Sequence, residues 1–139
     1  MITFGAFLLL AVGMIDLGVA VFQKHVVSEA SRQGARIAAV HGSLAPSGWN
    51  GGNWGTTSYS GLANSGDTIP AALTSGGLFT GLNASNVTVA VQWPTGGNSA
   101  QNGDTVQVTI STTWTPIFTN IFGGTPYPLS ATSIEPIAH

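Results

Sequence analysis

The chain has no cysteine and very little charge, and its few basic residues are confined to one stretch. Without cysteine there are no disulfides, no thiolate zinc sites and no cysteine nucleophile. Charged residues fill 6% of the 139 positions, against about a quarter in ordinary soluble domains. Lysine and arginine occur only at Lys24, Arg32 and Arg36. Nucleic-acid affinity rests on such residues neutralising phosphates, so the part of the chain beyond Arg36 has nothing with which to hold a nucleic acid. Proline is absent before Pro46, which leaves the first 45 residues without a helix breaker. The scarcity of charge is not a sign of disorder. Disordered chains combine low hydrophobicity with high net charge, whereas this one is 43% hydrophobic with a formal net charge of −2.

What is present begins with an apolar run. Residues 1–22 carry a single charge, Asp16. As a helix they rise roughly 33 Å at 1.5 Å per residue, and about 20 apolar residues cross a bilayer core. A cleaved signal peptide would show a shorter apolar region, basic residues ahead of it and a small-residue cleavage site after it. Here nothing basic precedes the run, and the helical pattern continues past it. Positive residues stay on the cytoplasmic side, so Lys24, Arg32 and Arg36 would hold the remainder of the chain inside. The Ser/Thr/Gly-rich remainder reads instead as extracellular. Both observations fit a precursor whose basic leader is removed, and we expect Met1 to be a processed N-terminus.

The helix is expected from Ile2 to about Val40, with Gly5, Gly13, Gly18 and Gly34 as isolated, tolerable interruptions. Beyond Phe22 the pattern turns amphipathic, with Val19, Phe22, Val26, Ala30, Ile37 and Val40 on one approximate face. His25–Glu29 and Glu29–Arg32 have the spacing of helix-surface pairs. Ala30, Gly34 and Ala38 form a small-residue stripe, suited either to close approach of another helix or to packing on the protein's own sheet. Asp16 needs a partner, because an ionisable residue inside an apolar segment is costly. The candidates are Lys24 of a neighbouring helix, an N-terminal amine, or the membrane edge. The residues singled out for helix packing and assembly are Gly13, Asp16, Gly18, Phe22, Ala30, Gly34 and Ala38.

His41-Gly42-Ser43 ends the helix. Residues 43–66 read as a Gly/Ser/Asn loop carrying Trp49, Trp54 and Tyr59, aromatics that suit either stacking on sugars or pinning the loop to its own domain or a neighbour. Asp67 or Thr68 caps a short helix with Pro70 in its first turn, ended by Gly76-Gly77. Strict alternation follows at Val87, Val89, Val91 and Trp93, and again at Val106, Val108, Ile110, Thr112 and Trp114, a strand signal in both places. The link between them, 94–103, is rich in Gly and Asn, so an antiparallel hairpin is expected. Ile117, Phe118, Ile121 and Phe122 fit a helical turn or an apolar plug, and a last strand is expected over 127–134 with Pro128 favouring an edge. The fold class is therefore α+β. One long N-terminal helix (1–42) packs by its C-terminal half on a β-rich head (43–139) of three or four antiparallel strands.

Nothing assembles into a catalytic site. The histidines His25, His41 and His139 lack metal-ligand spacing, and the carboxylates are scattered at Asp16, Glu29, Asp67, Asp104 and Glu135. Asp67 and Asp104 read better as loop caps than as a calcium pair. No nucleophile elbow or phosphate loop is found, so no enzyme, metal or cofactor is expected. Asn83-Ala84-Ser85 and Asn86-Val87-Thr88 match the N-glycosylation pattern.

Two stretches carry a family resemblance. Gly13-Met14-Ile15-Asp16-Leu17-Gly18 resembles the Gly-Ile-Ile-Glu-Phe-Gly run of the TadE-like family of tight-adherence pilus proteins, relatives of type IV pilins. Residues 28–36, Ser-Glu-Ala-Ser-Arg-Gln-Gly-Ala-Arg, resemble its Asn-Ala-Ala-Arg-Glu-Gly-Ala-Arg stretch. The C-terminal half is similar too: Asn86-Val87-Thr88-Val89 follows a short helix, a Thr-Pro turn follows the strand at 105–114, and Leu129-Ser130-Ala131-Thr132 leads into Glu135. The resemblance implies a membrane-anchored precursor cut by a prepilin peptidase, then lifted by pilus assembly machinery into an extracellular, homopolymeric filament. Two other readings stay open: a minor pseudopilin or membrane-anchored assembly protein, and an anchored adhesin whose Trp49, Trp54 and Tyr59 grip glycans.

Overall fold

The computed structural model describes residues 1–42, 45, 54, 58–94 and 103–137, with the side chains of 119 and 120 excepted. Trp49, His139, most of the 43–66 loop and most of the 94–103 link lie outside the described residues. The first element is one helix, α1, Ile2–Ala39, 38 residues without a break. Leu8, Leu9, Leu10 and Ala11 near its start are strong helix formers. Arg36 lies in the last turn, where a cation favours the negative end of the helix dipole. Past the end, His41 Nδ1 donates to the Ile37 carbonyl at 2.6 Å and its backbone N–H donates to Ala38 at 3.0 Å. Two of the carbonyls that a helix terminus leaves without partners are thereby satisfied.

Four antiparallel strands follow in sequential order, β1 Tyr59–Leu62, β2 Val87–Gln92, β3 Thr105–Trp114 and β4 Tyr127–Pro136. β2 and β3 pair with Val89 opposite Ile110 and Val91 opposite Val108. That register puts the alternating apolar set of both strands on one face. Val87, Val89, Val91, Val106, Val108 and Ile110 are all fully buried there. β4 is an edge strand with Pro128 near its start, and it runs through Pro136, two residues beyond the expected end. On the opposite, wet face Thr109 and Thr132 face each other, with their hydroxyls 2.9 Å apart.

The C-terminal half of α1 lies across the valine face. Its buried positions are Val27, Ala30, Ser31, Gly34, Ala35, Ala38 and Ala39. This corrects the expected face: Val19 and Phe22 are exposed and Val26, Ile37 and Val40 only half-buried. The buried stripe is rotated toward the small residues, because only small side chains let the helix backbone come down onto the sheet. Gly34 shows the limit: a Cβ there would lie 3.2 Å from Val108 Cγ1 and 3.6 Å from Leu73 Cδ2. Ser31 Oγ donates to the Ser28 carbonyl at 2.8 Å, so at 3.1 Å the Ser133 hydroxyl donates to it, tying α1 to β4. Glu29 pairs with neither His25 nor Arg32; it accepts from Gln33 Nε2 at 2.9 Å.

The strand β1 falls inside the expected 43–66 loop. It is four residues long and includes Gly61, too short and too glycine-bearing to alternate visibly. Gly61 is required by its neighbour two residues back: a Cβ would collide with the Tyr59 ring and hydroxyl. Helix α2, Thr68–Ser75, closes the remaining side of the core with Pro70 and Leu73. Asp67 stands at its N-cap without a side-chain cap bond; the carboxylate accepts instead from the Tyr59 hydroxyl at 2.8 Å. The last helix, α3, Ile117–Phe122, follows β3 and packs away from the core, along the N-terminal half of α1.

Candidate assembly interface

Among the described residues, the N-terminal half of α1 is covered in its own chain along one side only, by a short helical segment that follows β3. From Ile2 to Phe22 the large apolar side chains stand in the open, Phe7 at 68%, Leu10 at 59% and Leu17 at 69% exposure. The most apolar 18-residue window of the helix is only 6% buried, and it is long and apolar enough to cross a membrane. Leaving this much apolar surface in water is unfavourable at about 25 cal/mol per Å². A contiguous exposed patch of this kind marks contact with a membrane or another protein. Gly13 and Gly18 sit within it with nothing within 4 Å of where a Cβ would be, so both are open to a neighbour. Phe22 marks the junction with the head. It is exposed, yet its ring edge would meet a Cβ on Gly81 at 3.1 Å, and Gly81 itself has φ +87°.

Of the assembly residues named from the sequence, Gly13, Gly18 and Phe22 thus lie on the open half. Ala30, Gly34 and Ala38 are buried inside the head. The small-residue stripe is used by the protein's own sheet.

Asp16 is the exception on the open half. It is 6% exposed, and its partner is none of those proposed from the sequence. Oδ1 accepts the Ile117 N–H at 3.0 Å and Oδ2 accepts the Phe118 N–H at 2.9 Å. One carboxylate thereby satisfies two of the N–H groups that the start of α3 leaves without intrahelical partners, and its charge complements the positive end of the helix dipole. The contact spans 101 residues of sequence, which no local pattern reveals. A weak signal exists: α3 follows Thr115-Pro116 with no Asp, Asn or Ser at its start, and a lone acid in an apolar run needs donors.

Past Asp16, α3 lies along α1. Gly5, Leu8 and Val12 on one side and Phe118, Ile121 and Phe122 on the other line an apolar groove of about 290 Å³. The Phe118 and Phe122 rings stack at 4.6 Å, while Ile117, Ile121 and Phe122 keep at least half their surface exposed. At the base of α3, Trp114 and Tyr127 form a cross-strand aromatic pair with centroids 6.2 Å apart.

The loop aromatics have other surroundings. Trp54 is buried and stacks on His41, centroids 4.6 Å apart and planes at 17°. Among the described residues its Nε1 is buried with no hydrogen-bond partner, as is Gln23 Oε1 on α1. Tyr59 is half-buried and bonds Asp67 and Ser65. Burial raises its pKa, the Ser65 bond opposes that rise, and the neighbouring Asp67 carboxylate adds to it. Asn83 and Asn86 are exposed. Asn83 Oδ1 already accepts from the Ser85 N–H and hydroxyl at 3.1 and 2.6 Å, capping a single 3-10 turn, Ala84–Asn86. Among the described residues no group of three or more His, Asp or Glu side chains is placed to hold a metal ion.

The comparison with known proteins bears on the open half. No curated protein and no solved structure matches the chain. The profile of the TadE-like protein family matches residues 1–36, which takes in both stretches at 13–18 and 28–36; the similarity read in the C-terminal half lies beyond the matched residues. The similarity to that family covers residues 1–36, the open apolar helix and its first turns into the head.

Proposed function

We propose that this chain is a structural subunit of an extracellular, type IV pilus-like (Tad-like) filament. The open half of α1 forms the filament core and the head, with the inner half of α1 sealed in it, coats that core, drawn from a membrane-anchored pool. The observation that supports this most is the division within α1: one half is sealed into a folded head, and the other offers an open apolar surface on a TadE-like segment. In the membrane that surface meets lipid. In a filament it meets copies of itself, where helix packing proceeds by many weak dispersion contacts. The head carries few charges to repel its neighbours or to be desolvated between them.

A second reading, a minor pseudopilin or assembly protein, has its own support. Along Gly5 to Val12, part of the circumference of α1 is already taken by α3, which leaves fewer sides for neighbouring helices. The adhesin reading is weaker, because Trp54 is committed to His41. Cryo-electron microscopy of sheared surface material, with mass spectrometry of the same fraction, separates the readings. Filaments made chiefly of this chain support the major-subunit reading. A trace membrane component without fibres moves the assignment to an assembly protein. The same spectra give the N-terminus of the mature chain.

A further inference from the structure

We infer that α3 is a second membrane contact, a helical turn of the head that seats in the hydrocarbon beside α1. The inference rests on the membrane-anchored stage of the function proposed above. Three independent observations carry it. First, the exposed surface of α3, Ile117, Ile121 and Phe122, is continuous with the open apolar surface of α1 through a groove lined only by apolar residues. Second, no residue from 105 to 134 is charged, so α3 and the strand ends next to it bring no ion into lipid. Third, an aromatic pair, Trp114 and Tyr127, stands where the strands hand over to α3, and tryptophan and tyrosine favour the headgroup level of a bilayer.

The dimensions agree. Asp16 receives the start of α3, and the groove reaches along α1 to Gly5. Eleven helical residues rise roughly 16 Å, about half the hydrocarbon thickness of a bilayer. With Trp114 and Tyr127 at the headgroups, α3 occupies the leaflet on the side of the head. Asp16 makes this tenable for both elements. It enters the apolar layer already hydrogen-bonded, and it supplies the acceptors that Ile117 and Phe118 would lack in lipid, where an unsatisfied backbone group is costly.

The absence of native cysteine makes the test direct. Single cysteines are introduced in the full chain at Phe122→Cys, Leu10→Cys and Ser60→Cys, all exposed positions. Each variant is spin-labelled and reconstituted in vesicles of phosphatidylcholine and phosphatidylglycerol. Collision with oxygen, which concentrates in lipid, is compared with collision with a water-soluble nickel chelate. We expect the labels at 122 and 10 to share an oxygen-to-nickel ratio several-fold above that at 60. A label at 122 that behaves like the one at 60, while the label at 10 lies in lipid, overturns the inference and leaves the anchored stage standing. A label at 122 shielded from both reagents overturns it in favour of a contact with a second copy. A label at 10 found in water removes the anchored stage and the inference together.

Discussion

The two halves of α1 differ in side-chain size, and the difference runs against the usual pattern. The half inside the head is built from Ala30, Ser31, Gly34, Ala35 and Ala38, and the half outside carries Phe4, Phe7, Leu10, Met14 and Leu17. In a soluble domain the large apolar residues would be inside. Here the sheet supplies the bulk, through Val89, Val91, Val106, Val108 and Ile110, and the helix supplies closeness. The outer half keeps its bulk for a surface that is not part of the chain. In the inner half the small residues mark where the helix backbone meets the sheet, and in the outer half the large ones mark what the molecule offers to others.

The largest expected effect comes from filling the inner half. Gly34→Leu forces a side chain into a site where even a Cβ lies 3.2 Å from Val108, and overpacking of this kind costs about 3 kcal/mol. From its spacing alone Gly34 reads as an assembly position, where leucine would block filaments and spare the head. The structure reverses that expectation: the head itself should lose stability in urea denaturation, and an unchanged midpoint would separate the inner half from the core. Next comes a matched pair. Val27→Ala, at a position 1% exposed, should cost about 2 kcal/mol. Leu10→Ala should leave the denaturation midpoint of the head within about 0.5 kcal/mol while lowering the yield of sedimentable assemblies. Equal losses of stability from the two would erase the distinction between the halves.

A smaller effect is expected at Asp16→Ala, about 1 kcal/mol for a lost helix cap, read as faster hydrogen exchange at the Ile117 and Phe118 amides. Exchange unchanged at those two amides would mean that α3 stands without its cap. The smallest effect is a titration in the head. Tyr59 has a raised pKa, first through burial, so its neutral form is favoured in the folded state. Its contribution to stability is complete below the ordinary tyrosine pKa of about 10 and is lost as pH rises through the higher folded value. In a Tyr127→Phe chain, where Tyr59 is the one tyrosine left, tyrosinate absorbance should rise late, and to the same degree with or without Leu10→Ala. A titration shifted by that outer substitution would show the halves to be coupled.

Much of the architecture was legible because period and punctuation are local. The unbroken helix is written in the absence of proline before Pro46. The strands β2 and β3 are written in alternations that hold from Val87 to Trp93 and from Val106 to Trp114, and burial follows them as far as Trp93 and Thr112. The misses are contacts between distant segments or patterns too short to repeat. β1 has four residues and a glycine. The buried face of α1 was misplaced because apolar periodicity favours large residues, whereas this sheet selects small ones. Asp67 looks like a cap and stands at the cap position, but its carboxylate is taken by Tyr59. The need of Asp16 for a partner was legible. The identity of that partner was not, since it lies five secondary-structure elements and 101 residues away.

That separation has a consequence in time. The N-terminal end of a chain leaves the ribosome first, so Asp16 is made long before the two amides that it binds. Until β3 has paired and α3 has turned back along α1, the carboxylate has no acceptor role to fill. Closing so long a loop is among the later events of folding, because its entropy must be lost before the contact returns anything. The bond between Asp16 and α3 therefore forms only once nearly all of the chain has been made and α3 has turned back along α1. Any machinery that handles the helix by its outer half meets a different surface before that moment and after it.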